Sequence, residues 1–286
     1  MTNSKSGWIN GFIGVVIFSG SLPATRVAVA EFDPLFLTFT RAALAGGLAL
    51  ALLGMLPQKR PDRDDLVSLS IVALGVVLGF PLLTALALEH ITSAHSIVFI
   101  GLLPLVTAIF GALRAGDIPH PAFWIFAGSG SALVAGFALM QDLTASWAGD
   151  MLMLAAIIIC GFGYAEGGKL ARKIGGWQVI SWALVMSLPV MAPLAVYTAP
   201  ETFTGISAKA WIALGYVSVF SMLIGFVFYY RGLAQGGIAA VGQLQLLQPF
   251  MGLLLAAGLL NEEVSLSMAG ISLAVVTCVA GAKNFA

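Results

Sequence analysis

Three glutamines and a proline lie in the segment GQLQLLQPF, residues 242–250, where most neighbouring side chains are hydrocarbon. An unpaired carboxamide in hydrocarbon costs on the order of 4–8 kcal/mol, so Gln243, Gln245 and Gln248 are not expected to face lipid. A carboxamide both donates and accepts hydrogen bonds, and it can bind the amino and carboxyl groups of a zwitterion without a fixed charge. The segment is therefore the first candidate for a binding site.

The spacing divides these amides between two helix faces. Gln245 and Gln248 are three residues apart and share a face, whereas Gln243 points nearly the opposite way. One alternative is that the amides only join helices, each contributing about 0.6 kcal/mol. When the two halves of the chain are compared at a constant offset, as described below, the residues that align with these glutamines in the first half are apolar. Packing therefore does not require amides here, and binding is favoured. Those aligned residues are Val98, Ile100 and Leu103.

Other polar or aromatic side chains inside apolar runs are further candidates. His95 and Phe99 are four residues apart on one helix face, and the histidine could bind a substrate, relay protons, or simply be solvated near a helix end. Aromatic residues are more often core or interface residues, but together they would suit an aromatic or apolar substrate side chain. The deeper aromatic candidates are Phe80, Tyr164, Trp182 and Tyr229.

Charges inside apolar runs are candidates because they are unfavourable in a bilayer. Arg41 lies about 10 Å from one end of its run, counted at 1.5 Å per residue. It could pair with Glu89 to close a gate, or it could hold a substrate carboxylate. Glu166 is followed by Lys169 at i+3, which predicts an interfacial bridge rather than a coupling role.

The composition indicates a membrane environment. Of 286 residues, 59% are hydrophobic and 9% are charged, and the mean hydropathy is +1.00. Soluble domains are nearer a quarter charged. A formal net charge of zero argues against a nucleic-acid partner. Cys160 and Cys278 lie in apolar runs without metal-ligand spacing, and we predict no metal or cofactor.

Apolar runs of roughly 20 residues can cross a bilayer as helices, and the chain contains about ten, separated by short polar linkers. They cover approximately residues 8–30, 34–56, 66–88, 93–113, 121–140, 150–171, 177–198, 209–232, 236–258 and 264–283. With a cytoplasmic N-terminus, nearly all linker Lys and Arg residues lie on the inner side. The sequence thus predicts an all-α membrane protein with both termini cytoplasmic, and the resemblance described below implies the bacterial inner (plasma) membrane.

The predicted spans divide into a first half, residues 1–145, and a second half, residues 146–286. At a constant offset Pro104 aligns with Pro249, and Asp117 aligns with Glu262. Because five spans are an odd number, the second half would insert in the opposite direction, which predicts an inverted repeat with a site near the mid-plane. Prolines inside spans remove backbone donors, so the aligned pair is predicted to form hinges.

The segment FSGSLPATRVAVAEFDPLFLTFTRAALAG, residues 18–46, resembles the opening of an EamA domain, with a polar break, an acidic-proline turn and an arginine in the second helix. A second copy begins at residue 160, but other residue types stand at the matching positions. Tyr164, Gly175 and Trp182 replace Pro23, Pro34 and Arg41. The whole chain resembles the drug/metabolite transporter superfamily, and within it the YddG-like exporters of aromatic amino acids.

This resemblance implies ten transmembrane helices, arranged as two inverted five-helix repeats around a central cavity. It implies a monomeric secondary transporter that exports aromatic and other neutral amino acids by alternating access, without a cofactor. The alternative within the same fold is efflux of another small metabolite or drug. A membrane enzyme would need an acid/base or metal cluster, and a receptor-like subunit would need a large polar surface; neither is visible in the sequence, so we predict no enzyme activity.

Overall fold

The computed structural model describes residues 4–58, 60–87, 90–91, 96, 99–139, 146–260 and 266–286, and these residues are helices and turns. The helices of the first half are α1 Ser4–Ser19, α2 Ser21–Val29, α3 Pro34–Met55, α4 Arg63–Val72, α5 Phe80–Ala87, α6 Leu103–Ala115 and α7 Pro121–Leu139. Those of the second half are α8 Trp147–Ile174, α9 Gly176–Tyr197, α10 Ala208–Gly215, α11 Gly225–Gly236, α12 Ile238–Gly242, α13 Gln248–Leu260 and α14 Leu266–Asn284.

Several helical stretches are long and apolar enough to cross a membrane. Within the described ranges there are six, namely Lys5–Val29, Pro34–Met55, Arg63–Ala87, Trp147–Ile174, Gly176–Tyr197 and Ala208–Gly236. Shorter apolar helices occupy Leu103–Ala115, Pro121–Phe137 and Gly270–Asn284. The prediction of an all-helical, multi-span protein is therefore confirmed in this coarser form, and the count of ten spans stays a prediction.

Three stretches depart from α-helical hydrogen bonding. Ala73–Gly79, between α4 and α5, and Tyr216–Ile224, between α10 and α11, are π-helical. At the offset that aligns Pro104 with Pro249, the first of these stretches falls inside the second. Residues Gln243–Leu247, between α12 and α13, form a 3-10 helix. Such interruptions are frequent at functional sites, and here two of them occupy matching places in the two halves.

Local signals explain where several helices begin and end. The Asp33 side chain accepts hydrogen bonds from two backbone N–H groups in the first turn of α3, and Pro34 suits its first position. Gly175 and Gly237, which end α8 and α11, have φ angles of 98° and 90°. Other residue types rarely adopt these angles, so glycine permits both sharp reversals.

The helices of one half pack mainly on those of the other. Helix α3 lies along α9, α1 along α11, and α4 and α5 against α8, while α6 contacts α8 and α12 and α7 contacts α14. The α1–α11 seam brings Gly7 and Gly11 against Gly236 and Gly232, so close that a Cβ on Gly232 would lie 2.5 Å from the Gly11 nitrogen. Glycines at a four-residue spacing on both helices permit this close approach. The hydrophobic core consequently lies between the halves.

Candidate functional site

The three glutamines separate in the structure, and Gln245 alone is left with both amide atoms unpaired. Gln243 Nε2 donates to the Pro104 carbonyl of α6 at 3.3 Å, and Gln248 Nε2 donates to the Phe18 carbonyl of α1 at 3.5 Å. Gln245 is 4% exposed, and neither its Nε2 nor its Oε1 has a hydrogen-bond partner. Gln243 and Gln248 thus join helices of opposite halves, whereas Gln245 makes no such bond.

Two predicted aromatic residues lie with Gln245. The Tyr164 hydroxyl lies beside its amide, although outside hydrogen-bonding geometry. The Tyr164 and Tyr229 rings meet edge to face with centroids 5.1 Å apart. Tyr229 is fully buried, and its hydroxyl has no partner. Buried polar groups are normally hydrogen-bonded, so the unpaired Gln245 and Tyr229 atoms make this region the candidate site.

Two phenylalanines that sequence reasoning missed complete this cluster. Phe18 lies 5.6 Å from Tyr229, and Phe226 lies 5.9 Å from Tyr164, between ring centroids. Phe226 precedes Tyr229 by three residues, so helical periodicity could have found it. Phe18 comes from the other half, and no local pattern marks it. We use the name central cluster for these two phenylalanines together with Gln245, Tyr164, Tyr229 and Arg41, whose position is described next.

Arg41 supplies the only cation among the described residues of the central cluster. It lies on α3, close enough to Tyr164 for an electrostatic interaction, and its Nε is buried without a hydrogen-bond partner. None of the ion pairs formed between described residues includes Arg41. Glu89, its predicted gate partner, lies outside the described residues, as does His95.

The remaining predicted residues lie at the border of the core. Phe80, Phe99 and Trp182 are partly buried against it, and the Trp182 indole N–H has no partner. Pro104 and Pro249 stand in the first turns of α6 and α13, where a missing N–H leaves no bond unmade. Pro104 begins α6, whereas Pro249 directly follows the 3-10 stretch Gln243–Leu247, and the role of both prolines as hinges stays a prediction.

A charged network closes one end of the bundle, which we call the basic end because it holds Arg114, Arg172 and Lys173. Arg172 Nη2 lies 2.7 Å from Asp117 Oδ1. The other Asp117 oxygen accepts the backbone N–H groups of Ile238 and Ala239 at the start of α12. One carboxylate of the first half thus fastens two helices of the second.

A cavity of about 810 Å³ lies beside this network. Asp117 and Arg172 line it together with Gln235 and the small residues of the α11–α12 turn. A neighbouring cavity of about 320 Å³ includes Gln178 and Arg231. Both lie at the basic end, and Gln245 lines neither of them. The predicted mid-bilayer cavity accordingly stays a prediction.

Glu166 is placed more deeply than the sequence predicts. Its side chain is fully buried and accepts hydrogen bonds from Arg114 Nε at 2.7 Å and Ser68 Oγ at 2.8 Å. The expected pair with Lys169 exists, but at 3.8 Å. The predicted bridge to Lys169 is thus present, but Ser68 of α4 and Arg114 of α6 lie closer to Glu166, and these partners are distant in the sequence.

The chain is similar to known transporters along its whole length. Residues 5–139 and 147–282 match the EamA-like transporter family. The chain is 64% identical over 286 residues to the uncharacterized transporter YdeK of Bacillus subtilis, with 100% of both chains covered. It is 22% identical over 255 residues, 87% of each chain, to an uncharacterized transporter of Archaeoglobus fulgidus. A solved crystal structure shares the fold with a TM-score of 0.82 at 18% identity, covering 98% of this chain and 97% of that one.

Proposed function

The chain belongs to the EamA-like transporter family, and we propose that it is a secondary transporter that exports aromatic and other neutral amino acids across the bacterial inner membrane. Its family is one of membrane transporters and not of enzymes, so a lipid environment and a small-molecule substrate follow directly. The amino-acid cargo, the direction of transport and the monomeric state are parts of the proposal.

The unpaired carboxamide of Gln245 is the observation that carries this proposal. It is buried in a membrane protein, where an unmade hydrogen bond is unfavourable, and it lies beside Tyr164. Tyr164 in turn packs on Tyr229 and interacts electrostatically with Arg41. The guanidinium would hold a substrate carboxylate, the amide oxygen would accept from an ammonium group, and the rings would contact the side chain. These are the three parts of an aromatic amino acid.

Transport would proceed by rocking of the halves about the central cluster. Three observations support an inverted repeat. The family matches two ranges of the chain, and the π-helical stretches occupy matching places in the two halves. In addition, α1 packs on α11, as α4 and α5 pack on α8. With the basic end in the cytoplasm, the Arg172–Asp117 and Arg114–Glu166 pairs would form a closed inner gate. At the opposite end Glu31 accepts hydrogen bonds from the backbone and hydroxyl of Ser207.

Uptake of labelled phenylalanine into liposomes containing only this protein tests the proposal. We expect uptake faster than into protein-free liposomes, and inhibition by unlabelled neutral amino acids. Equal rates in the two preparations would refute amino-acid transport. Inhibition by unrelated solutes, but not by amino acids, would replace the cargo by another small metabolite or drug.

A further inference from the structure

Among the described residues, no carboxylate pairs with the charge of the central cluster. Arg41 has a buried, unpaired Nε, and its electrostatic neighbour is the neutral Tyr164. The other polar groups of the central cluster, Gln245 and Tyr229, are also neutral. The described carboxylates lie at helix ends or in turns, or are bound to Arg114, as Glu166 is. They are Glu31, Asp33, Asp62, Asp64, Asp65, Asp117, Asp150, Glu166 and Glu201.

The net charge of the bound solute consequently decides how well the positive charge of Arg41 is compensated. Arg41 is partly exposed, but its buried Nε lacks a partner, and a charge inside a membrane protein is unfavourable unless it is paired. A monocarboxylate neutralises Arg41 completely, because one negative charge meets one positive charge. A zwitterion also delivers a carboxylate, but it adds an ammonium group, so one positive charge remains without a counter-charge from the described residues. A cationic amine would leave two.

We infer that the central cluster selects apolar or aromatic monocarboxylic acids, and that it binds them more tightly than the amino acids with the same side chain. This inference rests on the proposed function of the central cluster and names its preferred substrate class. In the bound state the carboxylate would pair with Arg41 and accept from Gln245 Nε2, while the side chain would lie against Tyr164, Tyr229 and Phe226. An ammonium group would bind less favourably than a carboxylate, because the amide and hydroxyl oxygens of Gln245, Tyr164 and Tyr229 carry no negative charge.

Three probes that share one phenyl ring separate the contributions of the charges. They are 3-phenylpropionate, which has only the carboxylate, phenylalanine, which has both groups, and phenethylamine, which has only the ammonium. Their affinities are measured by calorimetry on the full chain in lipid nanodiscs at neutral pH. We expect 3-phenylpropionate to bind at least about tenfold more tightly than phenylalanine, and phenethylamine to show no binding. Equal or tighter binding of phenylalanine or phenethylamine, or no binding of any probe, would overturn the inference.

Variants of Arg41 test whether this residue sets the preference. Arg41→Gln should remove the advantage of 3-phenylpropionate over phenylalanine, and Arg41→Lys should restore part of it, because the charge is retained. Arg63, an exposed residue in the first turn of α4, provides the control, and Arg63→Gln should leave all affinities unchanged. An unchanged preference in Arg41→Gln contradicts the inference. If that variant does not fold, the ranking of the probes on the unmodified chain decides.

The affinity measurement is independent of the uptake measurement. If 3-phenylpropionate binds as expected and labelled phenylalanine is not taken up, amino-acid export is wrong and the carboxylate preference stands. If phenylalanine is taken up and the three probes bind without preference for the carboxylate, export stands and the inference is wrong.

Discussion

Nη2 of Arg172 lies 2.7 Å from Oδ1 of Asp117, and this pair joins the end of α8 to the turn that follows α6. The second Asp117 oxygen accepts two backbone N–H groups at the start of α12. The aspartate is 13% exposed and the arginine 35%, so water weakens the pair only in part. One carboxylate therefore holds three elements together at the basic end.

Removing this carboxylate should open the basic end. Asp117→Asn removes the ion pair with Arg172 and the negative charge that accepts the backbone N–H groups at the start of α12. We expect a stability loss of about 1–3 kcal/mol. A cysteine placed at the cavity-lining residue Ala240 should then react several-fold faster with a maleimide from the basic side. Asp64→Asn, which changes an exposed residue of α4, is the control. Equal labelling rates in the two variants would show that Asp117 does not close this end.

Neutralising Glu166 should be more destabilising than neutralising an exposed acid. Glu166→Gln leaves Arg114 without its ionic partner and replaces a fully buried carboxylate. We expect a loss of roughly 1–3 kcal/mol, less than for a wholly buried pair because Arg114 is half-exposed. Asp62→Asn changes a largely exposed partner of Lys173 and should alter stability by about 0–1 kcal/mol. Thermal unfolding in detergent compares the two, and similar losses would contradict the buried clamp.

Gln245 and Gln243 should respond oppositely to the same substitution. Gln245→Leu removes an amide that makes no hydrogen bond, so stability should stay unchanged or rise by about 1–3 kcal/mol. Gln243→Leu removes a bond to the Pro104 carbonyl and should lower stability by about 1 kcal/mol. Melting temperatures of the purified variants measure both effects. A strong destabilisation by Gln245→Leu would show that this amide has a structural partner.

The α1–α11 seam should tolerate no added methyl group. In Gly232→Ala the new Cβ would lie 2.5 Å from the Gly11 nitrogen, so the two helices must separate. Gly47 on α3 has no atom within 4 Å of the same position, and Gly47→Ala should be neutral or stabilise by up to about 1 kcal/mol. The yield of monodisperse protein in detergent distinguishes them. Normal yield from Gly232→Ala would mean that the seam is looser than described.

Local sequence signals predicted much of the fold. The Asp33–Pro34 turn starts α3 where expected, because a cap and a proline act within four residues. The π-helical stretches were not predictable, because they depend on contacts between halves; a Cβ on Gly75 of the first stretch, for instance, would lie 2.5 Å from the Ile159 carbonyl oxygen of α8.

The candidate site was predicted only in part, for the same reason. Spacing placed Gln243 away from Gln245, but it grouped Gln248 with Gln245, and the bond to the Phe18 carbonyl separates them. Tyr164 and Tyr229 are distant in sequence and meet only in the folded chain. Glu166 was misjudged because Lys169 is its neighbour in sequence, whereas Arg114 approaches from another helix.

Counterflow of labelled phenylalanine in proteoliposomes tests the central claim most directly, with Gln245→Leu and Gln243→Leu compared with the unmodified chain. The account predicts exchange by the unmodified protein, loss of at least about tenfold in Gln245→Leu, and retention of most activity in Gln243→Leu. Exchange that is equally fast in Gln245→Leu and in the unmodified chain would contradict the assignment of this buried amide to the transport site.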